Sequence, residues 1–293
     1  MPLSKKEELK LKFKALALRE NVLRMVKAAG TGHMGGALSA ADIVAVLYYK
    51  FMKLDPQNPG LADRDRFVLS AGHKCLILYA ALAEKGYFPK EVMDSYGELD
   101  SHIPGHPSMD KLPGVEANTG SLGHGLSIAA GMAMGLKLSA SPARVYTLMG
   151  DGELAEGSNW EAAAAASHHK LDNLTAIVDK NGLQIGGPSD SIMNYEPLQD
   201  RWASFGWSVR RIDGHDYPTI VQTLESLPFE KGKPSLIIAD TVKSKGFPFA
   251  EGKAAYHYWK ATKEELQLAD EALAAARAGL EKALAEAQVK GGL

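Results

Sequence analysis

From residue 66 onward the sequence alternates short β-prone runs with longer stretches of helical pattern. The runs RFVLS (66–70), RVYTLM (144–149), LTAIVD (174–179), WSVRRI (207–212) and SLIIADTV (235–242) are each bounded by polar or turn-forming residues. Strands that alternate with helices form parallel sheets, because each crossover helix must pack back onto the sheet it left. Such sheets are covered on both faces and bind ligands beyond the carboxyl ends of their strands. The expected fold is therefore α/β, a parallel sheet with helices on both faces, as a single domain over 1–293. Residues 5–29 carry apolar side chains at helical spacing and stop at Gly30. Ser39 is the expected N-cap of a helix through AADIVAVLYYKFM. A terminal helix at about 262–289 places Leu266, Leu273, Leu280 and Leu284 on one face, to pack within the molecule or against a partner.

Composition narrows the class of ligand. With a formal net charge of −2 and a pI near 6.5, the chain has no global field for nucleic acid or an anionic membrane, so neither is an expected partner. Its one cysteine, Cys75, excludes an internal disulfide and reads as a small buried hydrophobe, as in a reducing compartment. The N-terminal 23 residues mix charges with leucines and resemble neither a signal peptide nor a membrane span, so a cytoplasmic location is expected.

At LMGDGELAEG (148–157) a strand should end in Gly150-Asp151-Gly152 before a helix begins near Asn159. Glycines and successive amides beside a helix N-terminus favour phosphate, which the Asp151 carboxylate would repel unless a cation lay between them. A divalent metal such as Mg²⁺ resolves that conflict, since it shares oxygen ligands between protein, phosphate and water. Asn181, thirty residues further on and just past the next strand, is a second ligand candidate, and the Leu183 carbonyl a third. Gly-Asp-Gly alone is a common turn; the spaced asparagine is what lends it weight. Glu153 reads as a solvated acid at a helix start. His33, His73, His106 and His124 each stand beside glycine or proline, in loops that could face a cleft. No chemistry is assigned to His168 and His169.

These motifs, together with GTGHMGGALSAADIVAVLY (30–48), FVLSAGHKCLILYAAL (67–82) and PGHPSMDKLPGVEANTGSLGHGLSIAAGMAMG (104–135), resemble the first half of transketolase, in the same order and over nearly the whole chain. The resemblance implies a thiamine diphosphate-binding fold and the cofactor thiamine diphosphate with Mg²⁺, or Ca²⁺ or Mn²⁺ in its place. Asp151, Asn181 and the Leu183 carbonyl would be metal ligands, with Gly150 and Gly152 beside the diphosphate. His73 and His257 would assist cofactor binding, while His33 and His106 would hydrogen-bond the donor's oxygens. Gly120 and Leu122 match residues that meet the aminopyrimidine, and Glu156 and Glu161 match acids that link paired sites across a subunit interface. Two departures stand out: His257 is followed by tyrosine where the family often has glycine, and DKN before Gly182 lacks a doubled asparagine.

The resemblance also implies that the pyrimidine-binding half belongs to another chain, so that this one is inactive alone. The expectation is the N-terminal subunit of a split transketolase, in a two-plus-two heterotetramer acting on sugar phosphates; Met1 and the unbroken terminal helix favour a natural chain over a fragment. Rival readings are the alpha subunit of a 2-oxo acid dehydrogenase, a 1-deoxyxylulose-phosphate synthase, or a catalytically silent protein that kept the fold.

Overall fold

The computed structural model describes residues 3–289; the two residues before and four after, including Met1, lie outside the described residues. Five parallel strands form the sheet: β1 (Arg66–Leu69), β2 (Val145–Gly150), β3 (Leu174–Lys180), β4 (Ser208–Asp213) and β5 (Ser235–Asp240), in the order β1-β2-β3-β5-β4. All five expected runs are strands, shifted by a residue or two at their ends.

Side chains alternate across this sheet with period two. Phe67, Leu69, Tyr146, Leu148, Ile177 and Ile237 enter one core, and Val68, Val145, Met149, Val178, Leu236 and Ile238 enter the other. Burial on both faces is why β1, β2, β3 and β5 read as mainly apolar, whereas β4, at the sheet edge, exposes Arg210 and Arg211. Each fully buried Leu, Ile or Val contributes about 1.5–3 kcal/mol against leaving it in water.

The first core is covered by α1 (Lys5–Ala29), α2 (Met34–Ser39), α3 (Ala41–Val46) and α4 (Cys75–Lys85). The second is covered by α5 (His124–Leu138), α6 (Gly157–His168) and α7 (Leu198–Ser204). Helix α8 (Tyr217–Glu225) and the terminal helix α9 (Lys263–Val289) join the first group through Ile220 and Leu273. Helix α1 opens with a capping box between Ser4 and Glu7 and ends at Gly30, whose φ of 71° suits glycine. Leu266, Leu273 and Leu280 of α9 pack within the molecule.

Ser39 is not an N-cap. It closes α2, and its hydroxyl donates to Gly36 O at 3.0 Å and to the buried Asp179 carboxylate at 2.6 Å, a tertiary bond that outcompetes local capping. A two-residue antiparallel ribbon pairs Thr31 with Lys260 and Gly32 with Trp259, which fixes the chain just before His33 and just after His257 and Tyr258.

Candidate active site

The loops that leave β1, β2, β3 and β5 converge at the carboxyl end of the sheet on a cavity of about 310 Å³. Gly72 permits part of this convergence: a Cβ there would lie 2.6 Å from the Gly120 nitrogen, so only glycine lets the two loops meet.

Gly150 is paired with Asp179 in the sheet, which places the segments after β2 and β3 side by side. Asp151 and Asn181 line the same cavity. The Asp151 carboxylate is buried and accepts from Gly152 N at 2.9 Å, Gly182 N at 2.8 Å and Ser189 Oγ at 3.0 Å. Burial, and then the charge of Asp179, push its pKa up, so it gains from a nearby cation. Asn181 donates to Asp179 at 3.2 Å, and its Oδ1 accepts from Leu183 N at 3.2 Å.

Two lysines complete this floor. Lys74, only 2% exposed, donates to Asp179 at 2.6 Å. Burial alone would raise the Asp179 pKa, but Lys74, Ser39 and Thr241 outweigh it and hold the group anionic. Lys243 donates to the Leu183 carbonyl at 2.9 Å and lies 3.1 Å from His257 Nδ1. Burial first, and Lys74 second, bring its pKa down to about 8. The loop carrying it is anchored at its neighbour: Val242 N donates to His215 Nε2 at 2.9 Å, and His215 Nδ1 meets Asp42 at 2.7 Å. Asp42 also accepts from Arg19 at 2.8 and 2.9 Å and from the Tyr217 hydroxyl at 2.6 Å.

Glu153 departs from its sequence reading as a solvated acid. It is 2% exposed and accepts from the Ser70 hydroxyl, from Gly123 N at 2.9 Å and from Gly150 N at 3.0 Å. Those donors come from loops up to 83 residues away, so the turn and not a helix dipole decides its environment. One carboxylate thereby locks three of the cavity's loops together.

At the other end stand the histidines. The His33 ring lies 5.3 Å from that of His73, 5.7 Å from His257 and 6.4 Å from His106. Burial lowers the pKa of His33, carries His73 down to about 2 and His257 down to about 3, with neighbouring lysines and imidazoles adding to each. These three rings are therefore neutral at pH 7, able to donate from one nitrogen and accept at the other.

Gly120, Leu122, Gly150, Gly152 and Leu183 also line the cavity. A Cβ on Gly120 would come within 3.0 Å of the His106 ring. Neither His106, exposed against His33, nor His124, exposed at the start of α5, is part of the cavity lining. Glu156 and Glu161 are exposed at the start of α6 and do not line the cavity. Lys74, Lys243, Gln184 and Ile185 line it, although nothing in the sequence pattern singles them out.

The donor set fits a metal-bridged diphosphate. Among the described residues no cluster of His, Cys, Asp and Glu could hold a metal alone. One carboxylate, one amide oxygen and one carbonyl are the hard oxygen ligands that Mg²⁺ accepts when phosphate and water supply the rest. A Cβ on Gly150 would meet nothing in the protein closer than Lys74 Nζ at 3.6 Å, so it is cavity space, not packing, that this glycine keeps free.

Fold and site together define an α/β protein whose ligand cavity lies at the strand ends, with charged groups at one end and neutral imidazoles at the other. The chain belongs to the transketolase thiamine diphosphate-binding domain family, whose model matches residues 12–280. It is 45% identical over 258 residues to the 6-deoxy-6-sulfo-D-fructose transketolase subunit of Clostridium sp. (strain MSTE9), covering 88% of this chain and 94% of that one. To an apulose-4-phosphate transketolase subunit of Phocaeicola vulgatus it is 43% identical, covering 85% and 88%. The solved transketolase of Campylobacter jejuni superposes with a TM-score of 0.84 at 34% identity, covering 96% of this chain but 48% of that one. The chain thus spans nearly the whole of relatives named as subunits, but about half of the solved transketolase. No helix among the described residues is long and apolar enough to cross a membrane.

Proposed function

We propose that the chain is the N-terminal subunit of a two-chain transketolase. It pairs with a separate subunit carrying the pyrimidine-binding domain, in a two-plus-two heterotetramer in the cytoplasm. The complex transfers a two-carbon ketol unit from a ketose phosphate of the xylulose 5-phosphate type to an aldose phosphate such as ribose 5-phosphate. The observation that carries this reading is the meeting of Asp151, Asn181 and Leu183 with His33, His73 and His257 in one cavity.

Thiamine diphosphate, when bound, supplies the carbanion chemistry that a side chain cannot. Asp151, Asn181 and the Leu183 carbonyl hold the divalent metal, with Mg²⁺ the best fit to those oxygens. Gly150 and Gly152 let the backbone approach the diphosphate, and Lys74 and Lys243 offset its charge. Gly120 and Leu122 face the aminopyrimidine. His73 and His257 orient the cofactor. His33, a neutral imidazole, and His106 hydrogen-bond the donor's oxygens and stabilise charge that develops on them. Glu156 and Glu161, exposed at the start of α6, face the neighbouring subunit, coupling paired sites.

The relatives named above are named for 6-deoxy-6-sulfo-D-fructose and for apulose 4-phosphate, so the donor is open to variation within this family. Ketol transfer by the reconstituted two-chain complex, set against oxidative decarboxylation of a 2-oxo acid, tests the reading. Transfer that requires both chains, the cofactor and Mg²⁺ is expected. Acyl product with no ketol transfer would identify a 2-oxo acid dehydrogenase instead.

A further inference from the structure

Among the rings around His33 the nearest is not a histidine. The Tyr258 ring centroid lies 4.7 Å from that of His33, edge to face at 67°. Their juxtaposition is built into the backbone. The antiparallel ribbon pairs Gly32 with Trp259, and one step further its register sets His33 opposite Tyr258. The Thr31 hydroxyl donates to Trp259 O at 2.8 Å and holds that register. On the same segment Tyr256 OH and Trp259 Nε1 each donate to the Glu265 carboxylate at 2.8 Å, so the residues flanking Tyr258 are clamped to α9.

Tyr258 itself is 44% exposed, and its hydroxyl has no hydrogen-bond partner among the described residues. A large ring held at a fixed place, half in water and with a free phenol, contributes little to the core. It stands where the resemblance leads one to expect glycine, whose lack of a side chain would leave that side of His33 open.

We propose that Tyr258 is a specificity-determining residue for the ketose donor, a wall beside His33 that limits how bulky the donor can be beyond its two transferred carbons. The inference rests on the transketolase reading above. On that reading the donor's oxygens meet His33, which lines the cavity, and Tyr258, half-exposed against the His33 ring just outside the lining, borders the way out for the rest of the sugar. An aromatic wall there offers its face to the apolar side of a narrow sugar and excludes longer or branched ones. A single methylene more or less on a substrate held in an apolar pocket is discriminated by about 10–200-fold, so a ring-sized wall can discriminate between sugars of different bulk.

The test uses the two-chain complex with thiamine diphosphate and Mg²⁺, in wild-type form and as Tyr258→Gly and Tyr258→Phe. The measured quantity is the ratio of kcat/KM for sedoheptulose 7-phosphate to that for xylulose 5-phosphate. We expect Tyr258→Gly to move this ratio at least fivefold towards the seven-carbon donor, and Tyr258→Phe, which keeps the wall, to stay within twofold of wild type. Melting temperature should be unchanged in both variants, which separates a wall from a structural prop. A glycine variant whose ratio stays within twofold of wild type overturns the proposal while leaving the transketolase reading intact. A wild-type complex that performs no ketol transfer overturns both.

Discussion

The two ends of the cavity are built on opposite principles. At the floor every charged group has a partner in the chain: Asp179 with Lys74, Ser39 and Thr241, Glu153 with Ser70 and two amides, Lys243 with the Leu183 carbonyl. At the mouth, the rings of His33 and His73 are neutral and make no hydrogen bond among the described residues. The floor is organised by the fold before any ligand arrives, whereas the mouth is held in place by packing and backbone and keeps its polar atoms free. Floor residues should therefore be costly to change for stability, and mouth residues for catalysis alone.

The largest stability loss is expected from Lys74→Met, which strands the buried Asp179 carboxylate. Removing one partner of a buried pair costs about 3–5 kcal/mol, so the urea midpoint should fall sharply. A loss below about 1 kcal/mol would erase the contrast between floor and mouth.

Asp42, beneath the Lys243 loop, should carry a pH signature. Burial opposes its ionisation, but Arg19, His215 and Tyr217 outweigh that and hold its pKa well below the usual carboxylate value. A depressed folded-state pKa gives stability that is fully present above the unfolded value near 3.8 and is lost as pH falls towards the folded one. Asp42→Asn should cost about 1.5–3 kcal/mol at pH 7 and flatten the decline of stability below pH about 4. Denaturant titrations from pH 2 to 7 would show it; parallel curves for the two proteins would contradict the assignment.

Glu153→Gln keeps an acceptor for the Ser70 hydroxyl and Gly123 N but sets an amide NH2 against Gly150 N and removes the carboxylate charge, a cost of about 1–2 kcal/mol that the urea midpoint would register. At the mouth, His33→Ala should change stability by no more than about 0.5 kcal/mol yet reduce ketol transfer by about 10²-fold. A destabilised His33→Ala protein would show that this ring belongs to the fold after all.

How far the sequence disclosed this division follows from the range of the interactions involved. Periodicity and strand-to-helix alternation are local, and the five strands, α1 and α9 were legible from them. Asp151 and Asn181 could be paired in the sequence because β2 and β3, successive in the chain, are also neighbours in the sheet. Glu153 was misread because its partners, Ser70 and Gly123, are remote in the chain, and Ser39 because a long-range carboxylate competes with capping. Lys74 and Lys243 passed unnoticed since lysine is ordinarily solvated. The signal that could have found them is position: each lies within five residues of the carboxyl end of a strand, and Lys74 immediately precedes the apolar run of α4.

We propose the floor of the cavity as a metal-bridged diphosphate site. Calorimetric titration of thiamine diphosphate into the two-chain complex, with and without Mg²⁺, tests this directly when repeated on Asp151→Ala. The expected result is Mg²⁺-dependent binding by wild type, and affinity at least 100-fold weaker in the variant, about 2.7 kcal/mol, with no further response to Mg²⁺. Wild-type affinity and an undiminished Mg²⁺ response in Asp151→Ala would contradict it.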